Sequence, residues 1–383
     1  MPLHFATEEY AARRANAIAA MEAAGLDGLL MFRQESMYYL TGYDTFGYVF
    51  FQCLYLGADG HMMLLTRAPD LRQAQQTSVI QDIRIWVDRD GANPALELKD
   101  ALADFDVAGK KIGVEWEAYG LTARNGQRLS AALEGWCTLT DASDLISRLR
   151  IIKSSAELVY VRRAAKLADD ALTAAEKLTH AGTFEGDILA AMHGAIYKGG
   201  GDDPANEFII GSGPQALLCR YQSARRYLSE DDQLTLEWAG VYHHYHAAMM
   251  RTLLVGRVPD RQREMHEATV AAMEACVEAV KPGNPMGQVF DAYAGVLDRR
   301  GFREGRLNAC GYGMGTTFAP NWMDWPMFYT GNPVIMQPGM VFFLHMILYD
   351  DVHGLAMAPG QSVLVTADGC EVLSRKPLDL FVR

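Results

Sequence analysis

The run Leu236-Glu237-Trp238-Ala239-Gly240, continuing through Tyr242-His243-His244-Tyr245-His246 to Arg251-Thr252, constrains this chain more than any other stretch. It reads as two strands around a turn. Residues of equal parity share a face of a strand. Leu234, Leu236 and Trp238 therefore form an apolar face, and Thr235 and Glu237 point the other way. On the second strand His244, His246, Ala248 and Met250 share one face, and His243, Tyr245, Met249 and Arg251 share the other. A carboxylate facing either set could act as general base, nucleophile or oriented proton relay. The plainer alternative is a solvated hairpin with chance histidines. Three of the chain's 10 histidines fall within four residues, which favours the chemical reading.

Other clusters are less specific. Cys310-Gly311-Tyr312-Gly313-Met314-Gly315 leads into Pro320-Asn321-Trp322 and Trp325. Alternating glycines allow close backbone approach, and Tyr312, Trp322 and Trp325 could wall a pocket that suits a cation. A tight turn over core aromatics fits those residues equally well. No strand–helix context makes the glycines a dinucleotide motif. His345 lies in the apolar strand Gly339 to Met346, where a lone histidine is often a satisfied core residue. Arg220, in Cys219-Arg220-Tyr221, and the pair Arg225-Arg226 could bind a carboxylate or offset Glu230, Asp231 and Asp232.

A length of 383 residues predicts two domains. Helical stretches alternate with strands over the first 145 residues or so. Among them are a helix from Thr7 to Ala24, strands at Gly28–Phe32, Tyr48–Tyr55, Met62–Thr66, Ile83–Val87 and Lys111–Val114, and a turn at Gly57–Gly60. This predicts an α/β domain with a mixed sheet. A boundary at 148/149 precedes a long helix, Ala156 to Thr179, whose start carries the capping-box pair Ser154 and Glu157. Beyond a helix over Phe184–Lys198, hairpins dominate, interrupted by helices over Arg263–Lys281 and Pro285–Gly301. The net charge of -12 argues against nucleic acid or an anionic membrane as partner. Six scattered cysteines without a CxxC pair suit neither a disulfide framework nor a zinc ribbon. The amino-terminal segment reads as an amphipathic helix, not a signal peptide, and no apolar run approaches the ~20 residues of a membrane span. The expected compartment is the cytoplasm.

In this order the pieces resemble the creatinase and prolidase-like, or pita-bread, family across essentially the whole chain. The carriers are Tyr39-Leu40-Thr41-Gly42-Tyr43, the linker Leu149 to Ser154 with Glu157, Arg251-Thr252, Pro338 to Phe342, and Val363-Leu364-Val365-Thr366 with Gly369. The resemblance implies an α/β amino-terminal domain (1–148) and an α+β carboxy-terminal domain (149–383) of curved antiparallel sheet backed by helices. It also implies a homodimer in which the amino-terminal domain helps cover the partner's active site.

Metallopeptidases of that family bind two metals through Asp, Asp, His, Glu and Glu, positions that fall here at Glu237, Ala248, Tyr312, His345 and Gly360. Two donors cannot hold a stable divalent site, so the chain is expected to carry no catalytic metal and no cofactor. Creatinase's acid–base histidine and guanidinium-binding glutamate fall at Arg220 and Met250, which speaks against creatine. The chain is similar to the ectoine hydrolases from Leu236 to Thr252 and from Gly311-Tyr312 to Trp322, although their terminal Glu is replaced by Gly360.

The expected activity is metal-independent hydrolysis of a non-peptide C–N bond in a small polar or zwitterionic compound. Glu237 would be nucleophile or general base, with His244 or His246 as proton shuttle. Tyr312 and His345 would polarise the scissile group. Arg220 and Arg251 would hold a carboxylate, with Tyr245, Trp322 and Trp325 contributing to the substrate pocket. A lyase acting on a betaine-like or sulfonium solute, an Xaa-Pro metallopeptidase with replacement ligands, and a non-catalytic binder remain as alternatives.

Overall fold

The computed structural model describes residues 3–220 and 223–383, so Tyr221 lies outside the described residues. The chain divides into two compact units, Met1–Arg150 and Ile151–Arg383.

The first unit contains helices α1 (Thr7–Ala23), α2 (Gln34–Thr41), α3 (Ala68–Thr77), α4 (Pro94–Leu102), α5 (Ala123–Leu133) and α6 (Leu145–Arg150). Its strands are β1 (Gly28–Met31), β2 (Cys53–Gly57), β3 (Met62–Arg67), β4 (Asp82–Trp86), β5 (Lys111–Val114) and β6 (Thr138–Asp141). They form a mixed sheet in the order β4-β3-β2-β1-β5-β6. Leu30 and Tyr55 join one apolar cluster, while Leu29, Met31, Leu54 and Leu56 join another. Both faces are thus covered, which is why β1 reads as an unbroken apolar run.

The strand expected over Tyr48–Tyr55 forms only from Cys53. β1 offers β2 four partners, Gly28 to Met31 against Gly57 to Leu54. The chain upstream leaves the sheet and turns through a short 3-10 helix at Gly47–Val49, leaving Phe46 and Phe50 exposed.

In the second unit α7 (Ser155–Leu178) opens with the expected capping box between Ser154 and Glu157. It is followed by α8 (Glu185–Lys198), then β7 (Ile209–Ser212), β8 (Asp232–Tyr242), β9 (Tyr245–Val255), α9 (Asp260–Ala279) and α10 (Gly287–Arg299). The chain ends with β10 (Gly311–Gly313), β11 (Asp324–Met327), β12 (Val341–His345), β13 (Leu348–Asp350), β14 (Leu355–Met357), β15 (Gly360–Val365) and β16 (Cys370–Val372). Helix α9 begins three residues before the expected Arg263, at Asp260, with Pro259 as its non-helical N-cap residue (φ -59°, ψ 144°).

Seven strands form an antiparallel sheet in the order β11-β10-β12-β15-β9-β8-β7, with β16 added to β15. The sheet is curled and helices back one face. Phe342, Leu344 and Val363 pack with Met265, Met273 and Phe290 of α9 and α10. On β8, Trp238 donates its indole N–H to the Ala168 carbonyl of α7 at 3.0 Å. Residues of opposite parity, including Glu237, Tyr312, Phe343 and His345, line the other, concave face.

Gly240 lets α7 approach the sheet. A Cβ there would lie 2.0 Å from the Ala164 carbonyl oxygen and 2.5 Å from the Ala168 nitrogen. Gly240→Ala should therefore force the helix outward and cost about 1–3 kcal/mol or more. Thermal unfolding reads this as a Tm lowered by several degrees.

Candidate active site

The hairpin register decides which residues accompany Glu237. Glu237 pairs with Met250, Ala239 with Ala248 and Val241 with His246, so the His246 face is also the Glu237 face. Tyr245 and Arg251 belong to the other. The next strands complete a row across the sheet, with Met250 opposite Gly360 and Gly360 opposite His345.

Four inter-strand spacings separate β8 from β10 in the sheet order, about 19 Å on a flat sheet. Yet the Tyr312 hydroxyl donates to Glu237 Oε1 at 3.3 Å. The curl of the sheet folds the two strands toward each other. Trp322 continues the chain, its indole N–H donating to the Tyr312 hydroxyl at 2.9 Å. Its own backbone N–H is held by Asn206 Oδ1 at 3.1 Å. The Tyr312 ring lies 5.8 Å from that of His345 and 5.4 Å from that of Phe343.

Burial governs the protonation states. Glu237 is 9% exposed, and loss of hydration raises its pKa to about 7, against the pull of the Arg220 charge and the Tyr312 hydrogen bond. Burial likewise raises the Tyr312 phenol well above its ordinary value, with the Glu237 charge adding to it. His345 falls to about 4 through burial, opposed by a backbone hydrogen bond and reinforced by Arg220. Its Nδ1 is buried without a hydrogen-bond partner. Arg220 itself is exposed. The centre is thus a carboxyl poised near neutrality among neutral donors, with a cation near enough to influence three of its groups.

Several expected members lie elsewhere. His246 shares the face but sits four residues along from Glu237's partner Met250, about 13 Å at strand rise. Its Nδ1 lies 2.8 Å from the His244 carbonyl and its Nε2 accepts from the Ala205 N–H at 3.0 Å. Burial lowers its pKa to about 3. Both nitrogens are engaged in a neutral ring, which leaves no site for proton relay. His244 is not in the strand. It occupies a two-residue turn with His243, both at positive φ (62° and 50°), and stacks on Phe318 at 4.2 Å.

Tyr245, on the helix-covered face, donates to Glu157 Oε1 of α7 at 2.8 Å. Arg251, on the same face, donates to the Met250 and Gly360 carbonyls at 2.8 and 2.7 Å. Burial lowers its pKa to about 10. Trp325 packs against the cluster behind the sheet. All three make contacts within the scaffold. Sequence reasoning overlooked Phe343 and Asn206. The shared parity of Phe343 and His345 was a usable signal for the first; nothing in the sequence pointed to the second.

An α/β domain followed by a curled antiparallel sheet with its reactive groups on the concave face defines the two-domain creatinase and prolidase class. The chain belongs to metallopeptidase family M24, and with it to the hydrolases. The family model matches residues 159–367, and that of the creatinase/prolidase N-terminal domain matches residues 13–152. The chain is 29% identical to the ectoine hydrolase of Halomonas elongata, over 100% of this chain and 99% of that one. It is 26% identical to the Xaa-Pro dipeptidase of Pyrococcus furiosus over 62% of this chain and 67% of that one. Among solved structures, dipeptidase PepE from Mycobacterium ulcerans superposes with a TM-score of 0.85 at 27% identity, covering 99% of both chains. X-Pro aminopeptidase from Thermotoga maritima gives 0.84 at 20% identity, covering 97% of this chain and 99% of that one, a likeness of fold.

The metal implied by the family name does not fit the residues present. Ala248 and Gly360 offer no donor. A Cβ at position 360 would lie 2.8 Å from Phe343 Cζ, so the space a ligand side chain needs is filled. The Tyr312 hydroxyl already donates a hydrogen bond to Glu237 and accepts one from Trp322. Among the described residues no group of three or more His, Cys, Asp or Glu is placed to hold a metal ion.

Two outcomes are expected. Glu237 retains its proton in the native state up to about pH 7, whereas an unfolded glutamate loses it near 4.3. The native state binds more protons between those values, so its stability falls as pH rises through that window. Glu237→Gln removes this cost, on the order of 3 kcal/mol above pH 7. Its Tm should exceed wild type at pH 8, and the gain should vanish toward pH 4. Separately, Tyr245→Phe should lower stability by about 1–3 kcal/mol by stripping Glu157 of a buried donor. Denaturant titration reads that loss, and KM should not change.

Proposed function

We propose that this M24 hydrolase cleaves a non-peptide C–N bond in a small polar or zwitterionic compound without a metal. The observation that carries the reading is the buried carboxyl of Glu237, raised to about 7 and bonded to Tyr312, on a concave face whose metal-ligand positions hold alanine, tyrosine, histidine and glycine. Full-length likeness to an ectoine hydrolase supports the bond class.

In this mechanism the ionised Glu237 attacks the electrophilic carbon or takes a proton from the attacking water. Tyr312, held neutral and oriented by Trp322, donates a hydrogen bond where negative charge develops. His345 is uncharged and has a free ring nitrogen, so it can donate or accept at the scissile group. Where Glu237 acts as base, the proton it takes from water passes to the departing nitrogen. Where it acts as nucleophile, a water protonates the nitrogen and a second water hydrolyses the Glu237 adduct, regenerating the carboxylate. Arg220 holds a substrate carboxylate at the exposed side, and the cationic or electron-poor end of a zwitterion would face Glu237.

Glu237→Gln should reduce turnover about 10²–10⁴-fold with the fold intact. If the ionised form is the one that reacts, the wild-type rate should fall roughly tenfold per unit below pH 7. Mass spectrometry of chelator-treated protein offered ectoine, creatine and an Xaa-Pro dipeptide tests the class directly. Gain of one water by ectoine supports the proposal, and a fully active Glu237→Gln variant would sink it. Dipeptide cleavage that appears only after metal is restored would favour the peptidase reading suggested by the Xaa-Pro relatives.

A further inference from the structure

Phe343 belongs to no motif in the site, yet it lies at its centre. It precedes His345 by two residues on β12, faces the same concave side and is fully buried. Its ring meets Tyr312 at 5.4 Å and 62°, and His345 at 5.6 Å. With the 5.8 Å contact between Tyr312 and His345, the three rings close a triangle. The Phe343–Tyr312 contact is edge-on and the two contacts to His345 are tilted; an edge-on contact fixes ring orientation as well as position.

Gly360 makes room for that triangle. A Cβ on it would stand 2.8 and 2.9 Å from Phe343 Cζ and Cε2, and 3.0 Å from Met250 Cβ. Gly360 is not among the residues at positive φ, so space, and not backbone conformation, demands a glycine here. A side chain at 360 and the Phe343 ring exclude each other.

We infer that Phe343 fills the space a ligand side chain at position 360 would need, and from there holds Tyr312 against Glu237 as a positioning residue of the active site. The inference rests on Glu237 and Tyr312 being the reacting centre. The consequence is electrostatic. The Tyr312 hydrogen bond favours the ionised carboxylate and lowers its pKa. A displaced Phe343 ring presses on Tyr312, weakens that bond and raises the carboxyl's pKa.

The test is an infrared pH titration of the intact protein, following the protonated-carboxyl band identified as Glu237 by its loss in Glu237→Gln. Gly360→Ala should move the midpoint upward by about half a pH unit or more, and Phe343→Leu should move it less. The double variant should return close to wild type, because leucine vacates the volume the new methyl takes. A midpoint unmoved by Gly360→Ala, or shifts that merely add in the double variant, overturns the inference. Should Gly360→Ala fail to fold, recovery of folding and of the midpoint in the double variant supports it. In that event, an unshifted midpoint in Phe343→Leu overturns it. The readout needs no substrate, so its failure is separate from failure of the proposed hydrolase activity, which an active Glu237→Gln variant would reveal.

Discussion

The curl of the second sheet is the constraint on which the site depends. Glu237 and Tyr312 stand on strands four spacings apart, and no side-chain reach would join them across a flat sheet. Curling brings their tips to 3.3 Å and encloses both from water. Enclosure then sets the chemistry. The same carboxylate on a flat, wetted hairpin would ionise near its ordinary value, whereas here burial holds it near 7. Gly240 helps by admitting α7 against the helix-covered face within backbone contact.

The two faces of the sheet divide the work. On the helix-covered face the polar groups are paired and inward: Tyr245 to Glu157, Arg251 to the Gly360 carbonyl, Trp238 to Ala168. On the concave face His345 Nδ1 has no partner, and Glu237 is buried with one neutral donor and the charge of Arg220 acting on it. That arrangement costs native stability at neutral pH. Stability given up at reacting groups while the scaffold stays satisfied is the usual balance of an active site.

Likeness of fold to an X-Pro aminopeptidase and a dipeptidase does not by itself assign their chemistry. Superposition covers nearly the whole chain, but the concave face has been refilled. Where the family's metal ligands would converge, this chain places a tyrosine, a histidine, a glycine and the ring of Phe343. Function resides in those side chains and not in the scaffold.

Alternation and motif order in the sequence determined the two-domain plan, the long capped helix, the strand pair at 232–255 and the placement of Glu237 opposite Trp238. Those are local properties: parity on a strand and a capping box need no distant partner. Register was not local. Whether Glu237 faced His246 or Tyr245 turned on a two-residue turn at His243-His244, and one residue's slip would have exchanged the faces. The sequence favoured the hairpin histidines over His345, whose apolar strand suggested a satisfied core residue. Only the tertiary structure showed that His246 is saturated by Ala205 and His244, while His345 keeps a free nitrogen. The run at Tyr48 joined the sheet only from Cys53, where pairing with β1 and β3 begins. Most of all, the Glu237–Tyr312 contact joins residues 75 apart in the chain. Curvature made that contact, and curvature is a property of the assembled sheet that no single strand encodes.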